Sequence, residues 1–515
     1  CVSLYTTVSI NGEVRLKNMK VLNKIIQHFK SQHRNKLKKE SFVFLSLYLS
    51  LFLCFIVSCE VKLANTIPAV SDEEVDERGE EEEACRSSFN CTINEEEEEE
   101  VEEEEEVEEE EETPGTCDGL SLTLYNELGS GVTGDPYIIC NETQMTHLQE
   151  NSAGWGDYFR LEEDLDLTVY SSTERVIGSN STRFSGEFNG NNHTISNFTF
   201  GNSSQDYVGI FGYIDGASIK NLNLIDFSIT AKDYVGLLVG YAGENSAGTV
   251  SQISNINVGV NISAHNSVSG NTYIGGLVGR LEGSQVSTVV VEDVAVTGAD
   301  LIGGVIGEAT YNSTTGTRSD VSKVGSIRAE VTSTASYCIM GGGIGKLMES
   351  DVEFSYATFF QLTMGAYSNW AGGLIGHVFG SSGGGGSAVN DSYTSGIIQV
   401  GIYGYSGTEG SAAVAGISPM NGGSISNSVV HTYARLDYEW DETTTSPYSH
   451  YINGVWSASP TDSYFDSELC SECSGATSKT ESELQLQSTF SGWDFSSIWT
   501  IEEGSDFPKL QWETE

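Results

Sequence analysis

The sequence predicts an all-β fold for the body of the chain, an elongated β-solenoid of the parallel β-helix kind. Three observations support it. A short apolar phrase closed by glycine recurs along the chain at the spacing of stacked repeats. The chain holds 57 Gly and only 7 Pro, a mixture that suits tight turns between short strands and suits helices poorly. After several of the glycines a polar turn leads into alternating apolar positions, the period of a half-buried strand.

The recurring phrases are Tyr207-VGIFG, Tyr234-VGLLVG, Tyr273-IGGLVG, Leu301-IGGVIG, Met340-GGGIG and Trp370-AGGLIG, with a degenerate copy at Ala412-AVAG. Their closing glycines, Gly212, Gly240, Gly279, Gly307, Gly345 and Gly376, are separated by 28, 39, 28, 38 and 31 residues. The longer intervals carry polar excess such as 264–271, as loop insertions on a constant unit would. The strand-like phrases between them are Ser218-IKNLNL, Gln252-ISNINV, Gln285-VSTVVV and Ser424-ISNSVV.

One such unit has too little apolar surface to fold alone. Stacking neighbours pairs every backbone edge at about 4.8 Å per coil and builds one continuous core. Glycines at the same place in each coil permit sharp bends or close backbone approach. Asn221, Asn255 and Asn427 fall at equivalent turn positions, where stacked amides can hydrogen-bond between coils. A phosphate-binding role for these glycines is disfavoured, because no Lys-Ser/Thr follows them and no helix pattern starts there.

In chain order, residues 1–18 read as upstream read-through or a fragment, and Met19 as a start. Residues 19–59 read as an export signal: a basic lead from Lys20 to Lys39, then the apolar run Phe42–Val57. Ile56-Val57-Ser58-Cys59 resembles a lipobox, which makes Cys59 the candidate site of lipid attachment. An uncleaved signal anchor is the alternative. Residues 60–116 read as a disordered stalk, since Glu95–Glu112 is Glu broken only by Val101 and Val107. Such a run buries no core and extends by self-repulsion. Residues 117–206 read as an N-terminal β cap and lead-in. It has a strand after Gly134-Asp135-Pro136, a short helix capped by Asn141 or Thr143, and alternating strands over 158–167 and 184–200. Residues 207–432 are the repeats, 433–460 an aromatic and acidic insertion, and 461–515 a C-terminal capping segment.

These phrases are similar to the GLUG-motif repeats of bacterial surface proteins, whose Gly-Leu-hydrophobic-Gly core Gly276-LVG and Gly373-LIG reproduce. Phe184-SGEFNGNNHTISNFTF resembles the segment that precedes such repeats. Ser463-Tyr464-Phe465-Asp466 through Gly492-Trp493-Asp494-Phe495 to Phe507-Pro508-Lys509-Leu510 resembles their terminal segment. The resemblance covers about residues 129–512 and implies export and a solenoid-like stack that is adhesive or architectural. The uneven spacing, the Glu-rich stretch and the degenerate copies after Gly376 depart from the pattern.

Charge narrows the partners. The formal net charge is −48, and from Cys117 onward 45 acidic residues face 13 basic ones. Repulsion from phosphate therefore opposes nucleic-acid binding along the exported part. An odd number of cysteines, seven, follows Cys59, so at least one is unpaired or bonded between molecules; Cys338, alone among the repeats, reads as a small buried hydrophobe.

The chemical motifs are weak. Gly380-Ser381-Ser382-Gly383-Gly384 matches the nucleophile pattern G-x-S-x-G but sits in a Gly/Ser run with no strong strand pattern before it or helix pattern after it. Cys470 and Cys473 are spaced like half a zinc site; without a second such pair they read as a local disulfide or two thiols. Glu162, Asp164 and Asp166 fall on one face of an alternating strand, a solvated face. No catalytic, metal or cofactor residue is expected, and the chain is not expected to be an enzyme. The richest stretch is 433–451, where Asp437, Tyr438, Trp440 and Asp441 offer aromatics beside carboxylates for a sugar or a cationic peptide. The expected function is a non-catalytic cell-surface structural or adhesin-like binding protein, displayed on an acidic spacer. Its partner would be a surface protein or glycan of a host or neighbouring cell. The alternative is a glycan-binding or glycan-processing surface protein using that insertion. The expected location is extracellular, anchored in the manner of a bacterial outer-membrane lipoprotein, with secretion as the alternative.

Overall fold

Ser218, Gln252, Gln285 and Asp320 stand side by side on four successive coils, each the in-register neighbour of the next. That parallel register is the whole architecture. The computed structural model describes residues 116–513, except 170–174, 260–265, 336, 365–368, 380–385, 403–410, 418–419, 422, 439–448, 454–459, 470–472 and 474. All of them belong to the second of two compact units, Glu110–Glu515. The readings made for residues 1–115, including Cys59, lie outside the described residues.

The body is an all-β solenoid whose coils pair in parallel from Tyr137–Ile139 to Thr477–Lys479. A wide sheet takes two strands from most coils, such as Ser218–Ile225 and Ser228–Thr230. A second sheet takes Phe211–Asp215, Val239–Gly243, Val278–Glu282, Ile306–Thr310, Ile344–Met348, Ile375–Phe379 and Met420–Asn421. A third takes Asp233–Val235, Thr272–Gly275, Asp300–Gly303, Ile339–Gly341, Asn369–Gly372, Ser411–Ala415 and Ser449–Asn453. The phrases from Tyr234 to Gly376 therefore each supply a third-sheet strand, a corner and the start of a second-sheet strand, and the Tyr207 phrase joins the third sheet by a single bridge from Val208 to Val235. Inward residues such as Ile219, Ile253, Val286 and Val321 align into one continuous core.

The glycines mark places where coils nearly touch. A Cβ at Gly276 would collide with the Gly304 carbonyl oxygen. The same holds for Gly304 against Gly342, Gly342 against Gly373, and Gly373 against Gly416. None of these glycines needs a left-handed backbone, so close approach, not bending, is the constraint. Left-handed corners fall on other glycines, such as Gly216 and Gly283, and on many residues with side chains. Asn221, Asn255, Thr288, Lys323, Phe354, Asp391, Asn427 and Asp462 form one such column, with φ between 46° and 56°. Asn255 Nδ2 donates to Asn221 Oδ1 at 2.9 Å, and Asn221 Nδ2 to Asn189 Oδ1 at 3.0 Å, the expected amide ladder. Asn427 donates instead to Asp391 Oδ1 at 3.2 Å, because the preceding coil carries a carboxylate there.

A second ladder had no sequence reading. Buried Ser251, Ser284, Ser319, Ser350 and Ser387 stack inside a corner. The Ser284, Ser319 and Ser350 amides each donate to the next serine's Oγ, at 3.3, 3.3 and 3.2 Å. These hydroxyls satisfy amides that a corner withdraws from the strand ladder.

The short helix is Glu142–Glu150, and Asn141 Oδ1 caps it by accepting the Gln144 amide at 3.0 Å. Met145 and Leu148 are fully buried against the first coils, and Cys117 is disulfide-bonded to Cys140. Residues 162–164 break the strand expected over 158–167, so Glu162, Asp164 and Asp166 do not share one alternating face. Asp166 is held instead by Thr168 and Asn197, and Asp164 by His193.

Two boundaries read from the sequence are not breaks in the sheet. Glu187–Asn189 and Thr199–Gly201 already pair with the first repeat coil. Val429–Tyr438 pairs residue by residue with Tyr393–Ile402, and Ser449–Asn453 pairs with Ser411–Ala415. The ladder thus runs on into the stretch read as an insertion. Residues 480–513 then lie along the flank of the wide sheet. Trp512, Trp499 and Trp493 donate their indole N–H to Phe354 O, Asp391 Oδ1 and Asp462 O, three members of the Asn221 column. Tyr356, Tyr393, Tyr464, Phe490, Trp493 and Trp499 pack there into a separate apolar cluster.

Candidate binding face

The residue after each closing glycine points outward from the second sheet: Tyr213, Tyr241, Arg280, Glu308, Lys346 and His377 stand in register on six coils. Beside them runs the first residue of each phrase. Tyr207, Tyr234 and Tyr273 hold φ near 60° and stack face to face, 4.7 and 4.6 Å between centroids, with planes within 4°. A left-handed backbone is costly for tyrosine, and the stack between coils offsets it. Tyr213 and Tyr241 form a tilted pair at 4.4 Å, with Tyr241 edge-on to Tyr234.

Charge alternates along the column. Arg280 Nε lies 2.9 Å from Glu308 Oε2, and Lys346 Nζ donates to Glu308 Oε1 at 2.8 Å. Glu308 is only 2% exposed, and a cation stands against each of its carboxylate oxygens. Arg280 also sits 5.3 Å over the Tyr273 ring and 5.6 Å over Tyr241, and Tyr241 donates its hydroxyl to Glu282 at 2.6 Å. Burial, then the Glu282 hydrogen bond, raises the Tyr241 phenol well above its ordinary range. At the other end His377 is buried between Trp370 and Phe379, 3.9 Å from each ring, and neither imidazole nitrogen has a hydrogen-bond partner among the described residues. Burial first, and Lys346 second, push it down to about 4, so it is neutral at pH 7.

This face carries aromatic rings and phenols on its first coils and paired charges on the coils that follow. Such groups hold a partner by hydrogen bonds and apolar contact. Its signal was present in the sequence as the residue following each glycine, but only the register shows that these residues touch. Of the residues singled out from the sequence, Asp437 and Tyr438 lie at the end of their strand, opposite Gly401 and Ile402. Trp440 and Asp441 lie outside the described residues, as do Gly380–Gly385 and Cys470. Cys473 is disulfide-bonded. Cys338 is buried in the core, where burial pushes its thiol up to about 11.

Fold and face together define a parallel β-solenoid with an aromatic and ionic outer stripe. No family model matches the sequence. The chain is similar to halomucin of Haloquadratum walsbyi, with 30% identity over 173 residues, 32% of this chain and 2% of that protein. It is also similar to a protein of Evansella cellulosilytica provisionally named a Gly-rich membrane protein, with 29% identity over 180 residues, 30% of this chain and 20% of the other. The chain thus spans a small fraction of either relative. A crystal structure from Bacteroides ovatus, provisionally described as an immunoglobulin A1 protease, aligns with 75% of this chain and 95% of its own, at 19% identity and a TM-score of 0.40.

Proposed function

We propose that the protein is a cell-surface structural or adhesin-like binding protein of the GLUG-motif repeat kind, held at the membrane through Cys59 and raised on its Glu-rich segment. The observation that carries this reading is the parallel coil stacking from Tyr137 to Lys479, a scaffold that brings one outward residue per coil into a continuous column. The Cys117–Cys140 disulfide suits an oxidising, exported environment, and the names of the two relatives suit a surface or membrane protein. The partner would be a protein or glycan of another surface, met along the tyrosine stripe.

Exposure on intact cells tests the reading directly. Proteinase K added to cells expressing the full chain should release fragments of residues 117–515 while a cytoplasmic marker stays whole. Cleavage that appears only after lysis would end the surface assignment. The anchor has its own test in a lipoprotein-processing host, where Cys59→Ser should leave the chain unprocessed or released; unchanged processing and retention would remove it.

A further inference from the structure

Three chemistry-bearing residues outside the stripe meet on the flank of the wide sheet. Ser395 is the in-register neighbour of His431, and the following coil brings Asp466 to the same column. Ser395 Oγ lies 3.4 Å from His431 Nδ1, and His431 Nε2 lies 3.3 Å from Asp466 Oδ2. Asp466 is 2% exposed; its Oδ1 accepts the Glu468 amide at 2.8 Å, while its Oδ2 has no aligned hydrogen-bond donor among the described residues. A buried carboxylate oxygen facing an imidazole edge is the orienting half of a nucleophile relay. Separations above 3.2 Å at rest are compatible with that role, since such contacts tighten when substrate binds.

We propose that Ser395, His431 and Asp466 form a serine acyl-transfer relay acting on esters with a short apolar acyl chain. The negative charge of Asp466 Oδ2, 3.3 Å from Nε2, draws the ring proton to that nitrogen and leaves Nδ1 as the base toward Ser395; the two ring nitrogens exchange the places they take in the familiar arrangement, and the proton logic is unchanged. Burial keeps His431 below its ordinary pKa against the opposing pull of Asp466, Glu481 and Asp506, so the imidazole is neutral and basic at pH 7. Phe507 covers one ring face at 4.0 Å. Phe359, 72% exposed at a bulge in the neighbouring strand, and Ile397, 49% exposed two residues from Ser395, offer the acyl chain an apolar seat.

In the reaction Ser395 Oγ bonds to the ester carbonyl carbon, and its proton passes to His431 Nδ1. The carbon–oxygen bond to the leaving alcohol breaks, and that alcohol takes the proton. Water, deprotonated by the same nitrogen, then releases the carboxylic acid and restores Ser395. The strand that holds Ser395 is paired on both sides, so its amides bond adjacent coils instead of converging on an oxyanion. This limits the site to activated esters and argues against amide cleavage. The relay does not depend on surface display, and its confirmation would replace the expectation that the chain is non-catalytic.

The test uses the full chain, a tagged fluorophosphonate, and p-nitrophenyl acetate and butyrate. Wild type should be phosphonylated at Ser395, located by peptide mass, and should hydrolyse butyrate faster than acetate. Ser395→Ala should lose the label. His431→Gln should slow labelling by about 100-fold and Asp466→Asn by about 10-fold, each with an unchanged circular-dichroism spectrum. The labelling rate should climb with pH and level off before pH 7, following the His431 base. Label spread over other serines, no label on folded protein, or His431→Gln labelled as fast as wild type would each overturn the proposal.

Discussion

Arg280 Nε and Glu308 Oε2 meet at 2.9 Å across two coils, although 28 positions separate them in the chain. With Lys346 on the far side, Glu308 is clamped between two cations while almost wholly removed from water. Removing it alone should be worse than removing all three. Glu308→Ala leaves Lys346 without its buried carboxylate and Arg280 with Glu282 alone, and should destabilise by about 3 kcal/mol, whereas a triple replacement by apolar residues of similar volume should cost less. Urea denaturation of the variants decides between these outcomes; equal losses would mean the charges are screened by solvent.

The glycine column yields a sharper contrast. Val at Gly276 or Gly373 meets a carbonyl oxygen of the next coil, while a Cβ at Gly201 meets open space. The first two substitutions should each cost about 2–4 kcal/mol and Gly201→Val under about 1. Because coil stability is a sum of units and interfaces, new proteolytic cuts should appear beside the altered coil first. Equal melting of all three variants would make these glycines a matter of composition only.

His377 couples the face to acidity. Its folded-state pKa is depressed to about 4 from an ordinary value of 6.5, so the folded state disfavours its proton. The stabilisation is fully present above pH 6.5 and is lost as pH falls from there toward 4. His377→Phe keeps the ring between Trp370 and Phe379 and removes two buried nitrogens without partners. It should stabilise at pH 7 by about 1 kcal/mol and flatten the stability profile between pH 6.5 and 4. A variant with the wild-type acid slope would place that slope on other groups.

The flank segment should release as a unit. Trp499 is fully buried between it and the wide sheet, and its indole N–H is bonded to Asp391. Trp499→Ala removes a large ring from a cluster detached from the main core, a loss of about 3–5 kcal/mol in that cluster. Limited proteolysis should then cut within 480–513 while the coils between Tyr207 and Gly376 stay intact. Simultaneous digestion of both would show that the segment is required by the whole stack.

The recurrence of Gly-hydrophobic-Gly phrases was enough to reach an all-β solenoid, because period, composition and glycine placement are all local properties of the chain. The same holds for the helix behind Asn141 and for the placement of Asn221, Asn255 and Asn427 at corners, although the partner of Asn427 proved to be the carboxylate of Asp391 on the preceding coil. Register was not legible. Intervals of 28 and 39 residues leave open which positions meet, since inserted loops change the spacing without changing the coil. Only pairing of the coils decides that Tyr207 lies on Tyr234, that Glu308 sits between Arg280 and Lys346, and that Ser395, His431 and Asp466 share a column. It decides equally that three C-terminal tryptophans find one column of corners. Side-chain contact in a solenoid is made between coils, and the energy that selects it is non-local: burial of the shared core sets the register, and the outward residues meet whichever neighbours that register brings.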